Sequence, residues 1–141
     1  MKQIVPVSTI MTTNVIKLNV TDSLAKAERL FKEKKIRHIP VMNGTKIIGM
    51  LSYTDLLKIS IADTLNGNEE VIDVTVYDVF TIQQVMAKNL ICISPDTTIK
   101  EAAEILATRE FHALPVIEAD NLIGILTTTD LIRYLLNLYD Q

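Results

Sequence analysis

Short alternating runs of hydrophobic and polar residues, followed by apolar positions at helical spacing, occur in the same order twice along the chain. Residues 14–20 and 89–94 alternate as half-buried strands do. Polar clusters at 21–23 and 96–98 then open segments whose apolar residues fall on one face of a helix. Two more apolar runs and a second helical segment follow in each half. The pattern therefore predicts the order strand, helix, strand, strand, helix, repeated once.

The two consecutive strands in each half are predicted to form a hairpin. In the first half Asn43-Gly44 separates them, and both residues tolerate the positive φ that tight hairpin turns require. In the second half the turn at 118–121 carries a weaker signal. Pro40 and Pro115 lie within the first strand of each pair, and proline cannot donate a ladder hydrogen bond. We therefore expect these strands at a sheet edge or at a point where ladder bonding is interrupted.

An internal repeat underlies this order. Residues 11–59 align without a gap with residues 86–134, and most differences exchange one apolar residue for another. Two copies of a unit suggest a pseudo-twofold pair, since solenoids are built from longer arrays. We predict an α/β (α+β) fold in which two pseudo-twofold-related β-α-β-β-α repeats, at about 8–66 and about 83–139, pack into one module. A connector at about 67–82 joins them.

Composition narrows the classes of function. The 141 residues are 48% apolar and 22% charged, which is typical of a globular domain and excludes a disordered chain. No run approaches the roughly 20 apolar residues of a membrane span, and the start lacks the apolar core of a signal peptide. We therefore expect a cytoplasmic protein. A net charge of -3, a pI of about 5.3 and the absence of Trp argue against nucleic-acid binding.

Residues that commonly bind metals or form covalent intermediates are few. The only histidines are His38 and His112, which lack the spacing of a zinc site, so no metal is expected. The single cysteine, Cys92, lies in an apolar alternation and is predicted to be a small core or strand residue. No nucleophile–base pair, metal-ligand set or phosphate-binding P-loop occurs, so we expect neither an enzyme nor a required cofactor.

The main candidate chemistry is a hydroxyl and a carboxylate at the start of the last helix in each half. Ser52 and Asp55 form the first pair, and Thr127 and Asp130 form the second. Such a pair caps a helix, with the acid in the first turn favourable to the helix dipole. The same N-terminus can also receive phosphate oxygens while the carboxylate accepts two hydrogen bonds from a ribose diol. The two interpretations are compatible, and both stay open at this point.

Two strand glycines and a cluster of positive charge lie close in sequence to the hydroxyl–carboxylate pairs. Gly49 and Gly124 lie in the preceding strands, where a missing side chain permits the close approach of a ligand or another backbone, or marks a bulge. The segment 34–38 is the only local positive cluster. It suits phosphate groups, and it equally suits the solvated C-terminal end of a helix.

These motifs resemble those of a tandem pair of CBS domains, the Bateman module. The resemblance rests on 36–41 (IRHIPV) followed by 49–55 (GMLSYTD), and on 111–116 (FHALPV) followed by 124–130 (GILTTTD). It spans nearly the whole chain. The resemblance implies that adenosine-containing ligands such as AMP, ADP, ATP or S-adenosylmethionine bind in clefts between the repeats and serve regulation and energy sensing.

The resemblance also implies which residues meet the ligand. In the family, residues before the Pro-Val strands contact phosphates, and each cleft borrows the leading segment of the opposite repeat. Thr12 would thus complete the cleft of Asp130, whereas Ala87 takes the equivalent place beside Asp55 and lacks the hydroxyl, for which Lys88 can compensate. The full set of expected ligand-binding residues is Thr12, Val15, Ile16, Arg37, His38, Ile39, Pro40, Gly49, Ser52, Thr54, Asp55, Lys88, Leu90, Ile91, His112, Leu114, Pro115, Gly124, Ile125, Thr127, Thr129 and Asp130.

Two functions remain open after this reasoning. The first is a regulatory module that binds an adenosine-containing ligand and controls a partner protein. The second is a ligand-free CBS scaffold that acts through protein–protein contacts. Because the sequence contains no fused catalytic, transporter or DNA-binding segment, we expect the regulated partner to lie on another chain, and the sequence does not identify it.

The closing helices of both halves predict a homodimer. Residues 131–139 carry more apolar side chains than one helix face of roughly 100° can bury, and residues 56–65 repeat the excess. An isologous twofold contact would cover both faces, and CBS pairs commonly dimerise through these helices. The alternative is that the two repeats cover each other's helices internally.

Overall fold

A computed structural model describes residues 4–65, 77–109 and 111–141, with the backbone alone over residues 61–65. Most of the predicted connector, 67–76, lies outside the described residues. Of the helices in this described part, none combines the length and apolarity that a membrane crossing requires.

Backbone contacts group the chain into two units, which we name after the aspartate that each contains. The Asp55 unit is Ile16–Asn89. The Asp130 unit combines Met1–Val15 with Leu90–Gln141. The N-terminal segment of the first repeat therefore folds with the hairpin and closing helix of the second repeat, and the leading segment of the second repeat is divided between the units.

The Asp55 unit contains a mixed sheet flanked by helices. Its elements are β1 (Leu18–Asn19), α1 (Leu24–Lys34), β2 (His38–Asn43), β3 (Lys46–Ser52), α2 (Tyr53–Leu65) and α3 (Ile82–Val85). The strand order is β1-β2-β3, with β1 parallel to β2 and β2 antiparallel to β3. The predicted order of strand, helix, strand, strand and helix is confirmed in this unit.

Helix α1 forms because its sequence supplies a cap, an apolar face and a stop. The Ser23 side chain accepts a hydrogen bond from the Lys26 backbone N–H at 3.1 Å. Ala27 and Phe31 are buried one turn apart on the face that meets the core. Lys35, with φ 54°, ends the helix in the left-handed conformation.

The Asp130 unit repeats the hairpin and its two helices. It begins with a short 3₁₀ helix (Val7–Thr9) and continues with α4 (Ile99–Thr108), β4 (Ala113–Glu118), β5 (Asn121–Thr127) and α5 (Thr128–Tyr139). Strands β4 and β5 are antiparallel. Helix α4 starts at a capping box in which Thr98 and Glu101 bond reciprocally to each other's backbone N–H. The repeated αββα order is therefore confirmed here as well.

The first strand of each repeat is shorter than predicted. Residues 14–20 form a strand only at Leu18–Asn19, and residues 89–94 contribute a single parallel bridge at Ile93. Cys92 is exposed and is not part of a strand, so the prediction that it is a core or strand residue is wrong. The alternation that buries Ile93 turns the neighbouring Cys92 outward.

Both predicted hairpins are present, and their turns differ. In the β2–β3 turn Gly44 has a positive φ of 65°. In the β4–β5 turn Ala119 and Asp120 have φ values of 51° and 65°. The turn with the weaker sequence signal therefore adopts the more demanding backbone, because a positive φ is unfavourable for residues that carry a Cβ.

The strand prolines lie where ladder bonding is interrupted. Pro40 is in the central strand of its sheet, so the sheet-edge alternative does not hold there. Strand β1 pairs with β2 only beyond the proline, beginning at Val41. In the Asp130 unit, the bridge from Ile93 likewise meets Val116, one residue beyond Pro115. Pro115 takes part in this contact through its carbonyl, which accepts from the Ile93 N–H at 2.9 Å, and the missing N–H of the proline is not required.

Each unit buries its own apolar cluster. In the Asp55 unit the fully buried side chains include Leu24, Ile39, Val41, Leu51, Leu56 and Ile82. In the Asp130 unit they include Val7, Leu114, Val116 and Leu126. The hairpin strands supply equivalent positions to both clusters, so the repeat is strongest in the core.

Candidate functional site

The carboxylate of Asp130 lies at the N-terminus of α5 and caps this helix. Thr127 Oγ1 accepts a hydrogen bond from the Asp130 backbone N–H at 3.1 Å, and Asp130 Oδ2 accepts one from the Thr127 N–H at 2.9 Å. This reciprocal pair is a capping box. Asp130 is only 8% exposed. The helix-capping interpretation of the motif therefore holds for this pair.

The N-terminal segment brings a second hydroxyl to Asp130. Thr12 and Ile125 exchange two backbone hydrogen bonds, each 2.9 Å long, which fixes the segment beside β5. The Thr12 Oγ1 then donates to the Asp130 carboxylate, 3.2 Å from Oδ1 and 3.4 Å from Oδ2. The structure thus places Thr12, which the family resemblance assigned to the cleft of Asp130, in direct contact with the aspartate.

Asp55 takes the equivalent place at the start of α2 but makes fewer hydrogen bonds. Ser52 Oγ accepts a hydrogen bond from the Asp55 backbone N–H at 3.0 Å. No group in the described part of the chain donates a hydrogen bond to the Asp55 carboxylate, and the residue is half-buried. Within the described part of the chain, the carboxylate oxygens of Asp55 are therefore available to accept hydrogen bonds from a ligand.

The segment beside Asp55 repeats the backbone geometry without the hydroxyl. Met50 and Ala87 exchange two backbone hydrogen bonds of 3.0 and 2.9 Å. Ala87 therefore stands beside β3 as Thr12 stands beside β5, but it has no polar side-chain atom. The neighbouring Lys88 is exposed and supplies a positive charge near this segment.

The strand glycines make room for a methionine in each unit. A Cβ at Gly124 would lie 2.7 Å from the sulfur of Met11 and 3.0 Å from the backbone oxygen of Thr12. A Cβ at Gly49 would overlap the side chain of Met86. Each glycine also follows an unpaired residue where the hairpin register shifts. Close approach of another segment and a bulge, the two structural alternatives, therefore occur together.

The residues before β2 and β4 lie beside the helix N-termini. The carbonyl of Arg37 accepts a hydrogen bond from the Tyr53 N–H at 2.9 Å, and the carbonyl of His112 accepts one from the Thr128 N–H at 3.1 Å. Both Arg37 and His112 are exposed. The first site therefore has a guanidinium where the second has an imidazole, next to N–H groups that favour anions.

The other residues predicted to bind a ligand differ in burial. Buried positions are Ile39, Pro40, Leu114, Pro115 and Ile125. Half-buried positions are Val15, Ile16, His38, Leu90 and Ile91. Thr54 and Thr129 are exposed in the first turns of α2 and α5. Ile39 and Leu114 belong to the apolar clusters of their units, so these two residues offer a ligand their backbone groups only.

Sequence reasoning missed helix α3 and the role of the two methionines. The Thr81 hydroxyl accepts from the Gln84 N–H at 3.2 Å, and the Gln84 side chain accepts from the Thr81 N–H at 2.9 Å. The spacing Thr-x-x-Gln is a capping-box signal that was available in the sequence. Met11 and Met86 are identical in the repeat alignment, which was the signal for their shared contact.

Comparisons with known proteins agree with this architecture. The model of the CBS domain family matches residues 7–62 and 82–137. A homoserine O-acetyltransferase of Methanohalobium evestigatum is 32% identical over 129 residues, which are 90% of this chain and 23% of that protein. The chain therefore spans less than a quarter of the length of this relative.

Two solved structures share the fold over nearly the full chain. The AcuB protein of Vibrio cholerae gives a TM-score of 0.80 at 26% identity, covering 98% of this chain and 95% of that one. CBSX2 in complex with AMP gives a TM-score of 0.78 at 26% identity, covering 96% and 98%. The two ranges matched by the family model coincide with the two halves of the internal repeat. The chain therefore belongs to the CBS domain family and is a tandem CBS pair, or Bateman module.

Proposed function

We propose that this CBS pair is a regulatory module that binds an adenosine-containing ligand and controls a partner protein. The observation that carries the proposal is the repeated arrangement of a hydroxyl and an aspartate at a helix N-terminus, beside a segment contributed by the other repeat. The structure of CBSX2, which is 26% identical over 96% of this chain, contains AMP. AMP, ADP, ATP and S-adenosylmethionine share the adenosine group that this arrangement suits.

Each part of such a ligand has a chemical counterpart in the two units. An aspartate accepts two charge-assisted hydrogen bonds from the ribose diol. The N–H groups at the start of α2 or α5 and the exposed Arg37, Lys88 and His112 favour phosphate oxygens. The resemblance assigns the adenine to the backbone of the segments that contain Thr12 and Leu90.

Thermal unfolding with a panel of ligands tests the proposal. The panel contains AMP, ADP, ATP and S-adenosylmethionine, with 2′,3′-dideoxyadenosine compared with adenosine as the control that lacks the diol. A ligand present at about 100 times its Kd stabilises the folded protein by about 2.7 kcal/mol, which raises the melting temperature by several degrees. An unchanged melting temperature with every member of the panel at millimolar concentration would contradict the proposal.

The exposed face of α5 supports the second candidate, a CBS scaffold that acts through protein contacts. Its exposed apolar side chains are Ile132, Leu135, Leu136, Leu138 and Tyr139. We propose that a second copy of the chain covers this face in a homodimer. Light scattering at micromolar concentration should give twice the 15.8 kDa of the monomer. Leu135→Glu should return the mass to 15.8 kDa, whereas a wild-type mass of 15.8 kDa would contradict the homodimer.

A further inference from the structure

The two aspartates differ in what already occupies their carboxylates. The Thr12 hydroxyl lies 3.2 Å from Oδ1 and 3.4 Å from Oδ2 of Asp130, so it sits in the fork between both oxygens. The Thr127 N–H also donates a hydrogen bond to Oδ2 of Asp130. A cis-diol uses the same fork, because it donates one hydroxyl to each oxygen of a carboxylate.

We propose that Thr12 is an internal occupant of the Asp130 site and makes the two sites unequal. A ribose diol reaches Asp130 only by displacing the Thr12 hydroxyl, whereas Asp55 is open and binds the nucleoside at lower concentration. The inference rests on the proposed function, since it assumes that adenosine-containing ligands use these aspartates.

Burial strengthens the effect of this contact. Asp130 is 8% exposed, so few water molecules reach its carboxylate, while Thr12 lies at the surface and the hydrogen bond that it donates is partly buried. The Thr127 N–H stays on Oδ2 in either case, so a diol gains the fork only in exchange for the hydrogen bond that Thr12 donates, and this exchange lowers the net gain of binding. The half-buried Asp55 has no such competitor in the described part of the chain.

One side chain accounts for the hydrogen bond that the Asp130 carboxylate has and the Asp55 carboxylate, among the described residues, lacks. The Thr12–Ile125 and Ala87–Met50 pairs have the same backbone hydrogen bonds, all between 2.9 and 3.0 Å. A threonine that replaces Ala87 would therefore have the same backbone position beside β3 as Thr12 has beside β5. The difference can be transferred from one unit to the other by single substitutions.

Calorimetric titration with adenosine tests the inference, because adenosine has the diol but no phosphate. In an Asp55→Asn background only the Asp130 site is intact, and Thr12→Val, which keeps the side-chain shape, should tighten binding by about 3- to 10-fold.

In an Asp130→Asn background, Ala87→Thr should weaken binding by a similar factor. Ala87→Val is the matched control for side-chain volume and should weaken binding less than Ala87→Thr. Melting curves confirm that each variant is folded, and Thr12→Ala replaces Thr12→Val if the latter does not fold.

The possible outcomes separate the inference from the proposed function. Tighter binding in Thr12→Val together with weaker binding in Ala87→Thr supports the inference. Binding of adenosine that Thr12→Val leaves unchanged or weakens overturns the inference and leaves the proposed function standing. Absence of binding to the wild type and all variants, with AMP as well as adenosine at millimolar concentration, overturns both.

Discussion

The Asp55 and Asp130 units share a hydrogen-bonded frame and differ in the side chains next to their aspartates. In both units a methionine lies against a strand glycine, and the residue after the methionine exchanges two backbone hydrogen bonds with the strand. Thr12 is replaced by Ala87, and Arg37 is replaced by His112, without a change in this frame. The comparison teaches that the internal repeat constrains buried and backbone-bonded positions, while exposed positions beside them vary.

The largest expected effect separates the two aspartates. Asp55→Ala should weaken AMP binding at the tighter site by roughly 10- to 150-fold, because a hydrogen bond to a charged group contributes about 1.5 to 3 kcal/mol. Asp130→Ala should change the affinity of that site by less than about 3-fold. Calorimetry on both variants makes the comparison, and a larger loss in Asp130→Ala would reverse the order of the sites.

A second comparison concerns the packing of the strand glycines. Gly124→Ala should lower the free energy of unfolding by about 1–3 kcal/mol, because its Cβ meets the Thr12 backbone oxygen, which accepts a hydrogen bond from the Ile125 N–H. Gly49→Ala should cost less, because the three atoms nearest to its Cβ all belong to the side chain of Met86, which can move more readily than a hydrogen-bonded backbone. Urea unfolding measures both values, and equal losses would show that the backbone contact is not the deciding one.

Glycine should be the more stable residue at a positive-φ position of both hairpin turns. Removing a glycine from the first turn should therefore destabilise the protein, and introducing one into the second should stabilise it. Gly44→Ala should destabilise the protein by about 1 kcal/mol, since no atom crowds the added Cβ and only its φ of 65° is unfavourable. Ala119→Gly should stabilise it by up to about 1 kcal/mol, because glycine relieves a φ of 51° but loses more entropy on folding. Differential scanning calorimetry distinguishes these signs, and a stabilising Gly44→Ala would contradict the turn geometry.

The smallest effect tests the charge difference between the sites. Arg37→Ala should weaken ATP binding a few-fold while leaving adenosine binding unchanged, because an exposed guanidinium interacts with phosphate through partly screened charge. The loss should shrink as salt concentration rises. Equal weakening of ATP and adenosine would show that Arg37 has a structural role instead.

The sequence was sufficient for the parts of the fold that depend on local patterns. The helix starts at Ser23 and Thr98, and the hairpin that Gly44 closes, follow from residues adjacent in the chain. Strand length was overestimated at 14–20, because alternation records which side chains point inward and not which backbone groups find a partner. The outward position of Cys92 was missed for a different reason, because alternation puts Cys92 and Ile93 on opposite faces without showing which face is buried.

The candidate site was predictable in its residues but not in their contacts. The repeated Gly-x-x-Ser/Thr-x-x-Asp string located Asp55 and Asp130. The hydrogen bond from Thr12 to Asp130 joins residues 118 positions apart, and no local pattern reports such a contact. The residues themselves showed the exchange of Thr12 for Ala87, and the family resemblance placed Thr12 near Asp130 without implying a hydrogen bond between them. Its consequence, one occupied carboxylate and one open one, depends on the backbone pairing that the fold supplies.

The most direct test of the account is a titration of AMP followed by NMR of methyl groups labelled in Thr and Ala. The methyl of Ala87 reports on the Asp55 site, and the methyl of Thr12 reports on the Asp130 site. We expect both resonances to shift, with that of Ala87 reaching saturation at an AMP concentration about 3- to 10-fold lower. Parallel saturation of the two resonances, or saturation of Thr12 first, would contradict the unequal sites, and the absence of any shift would contradict nucleotide binding itself.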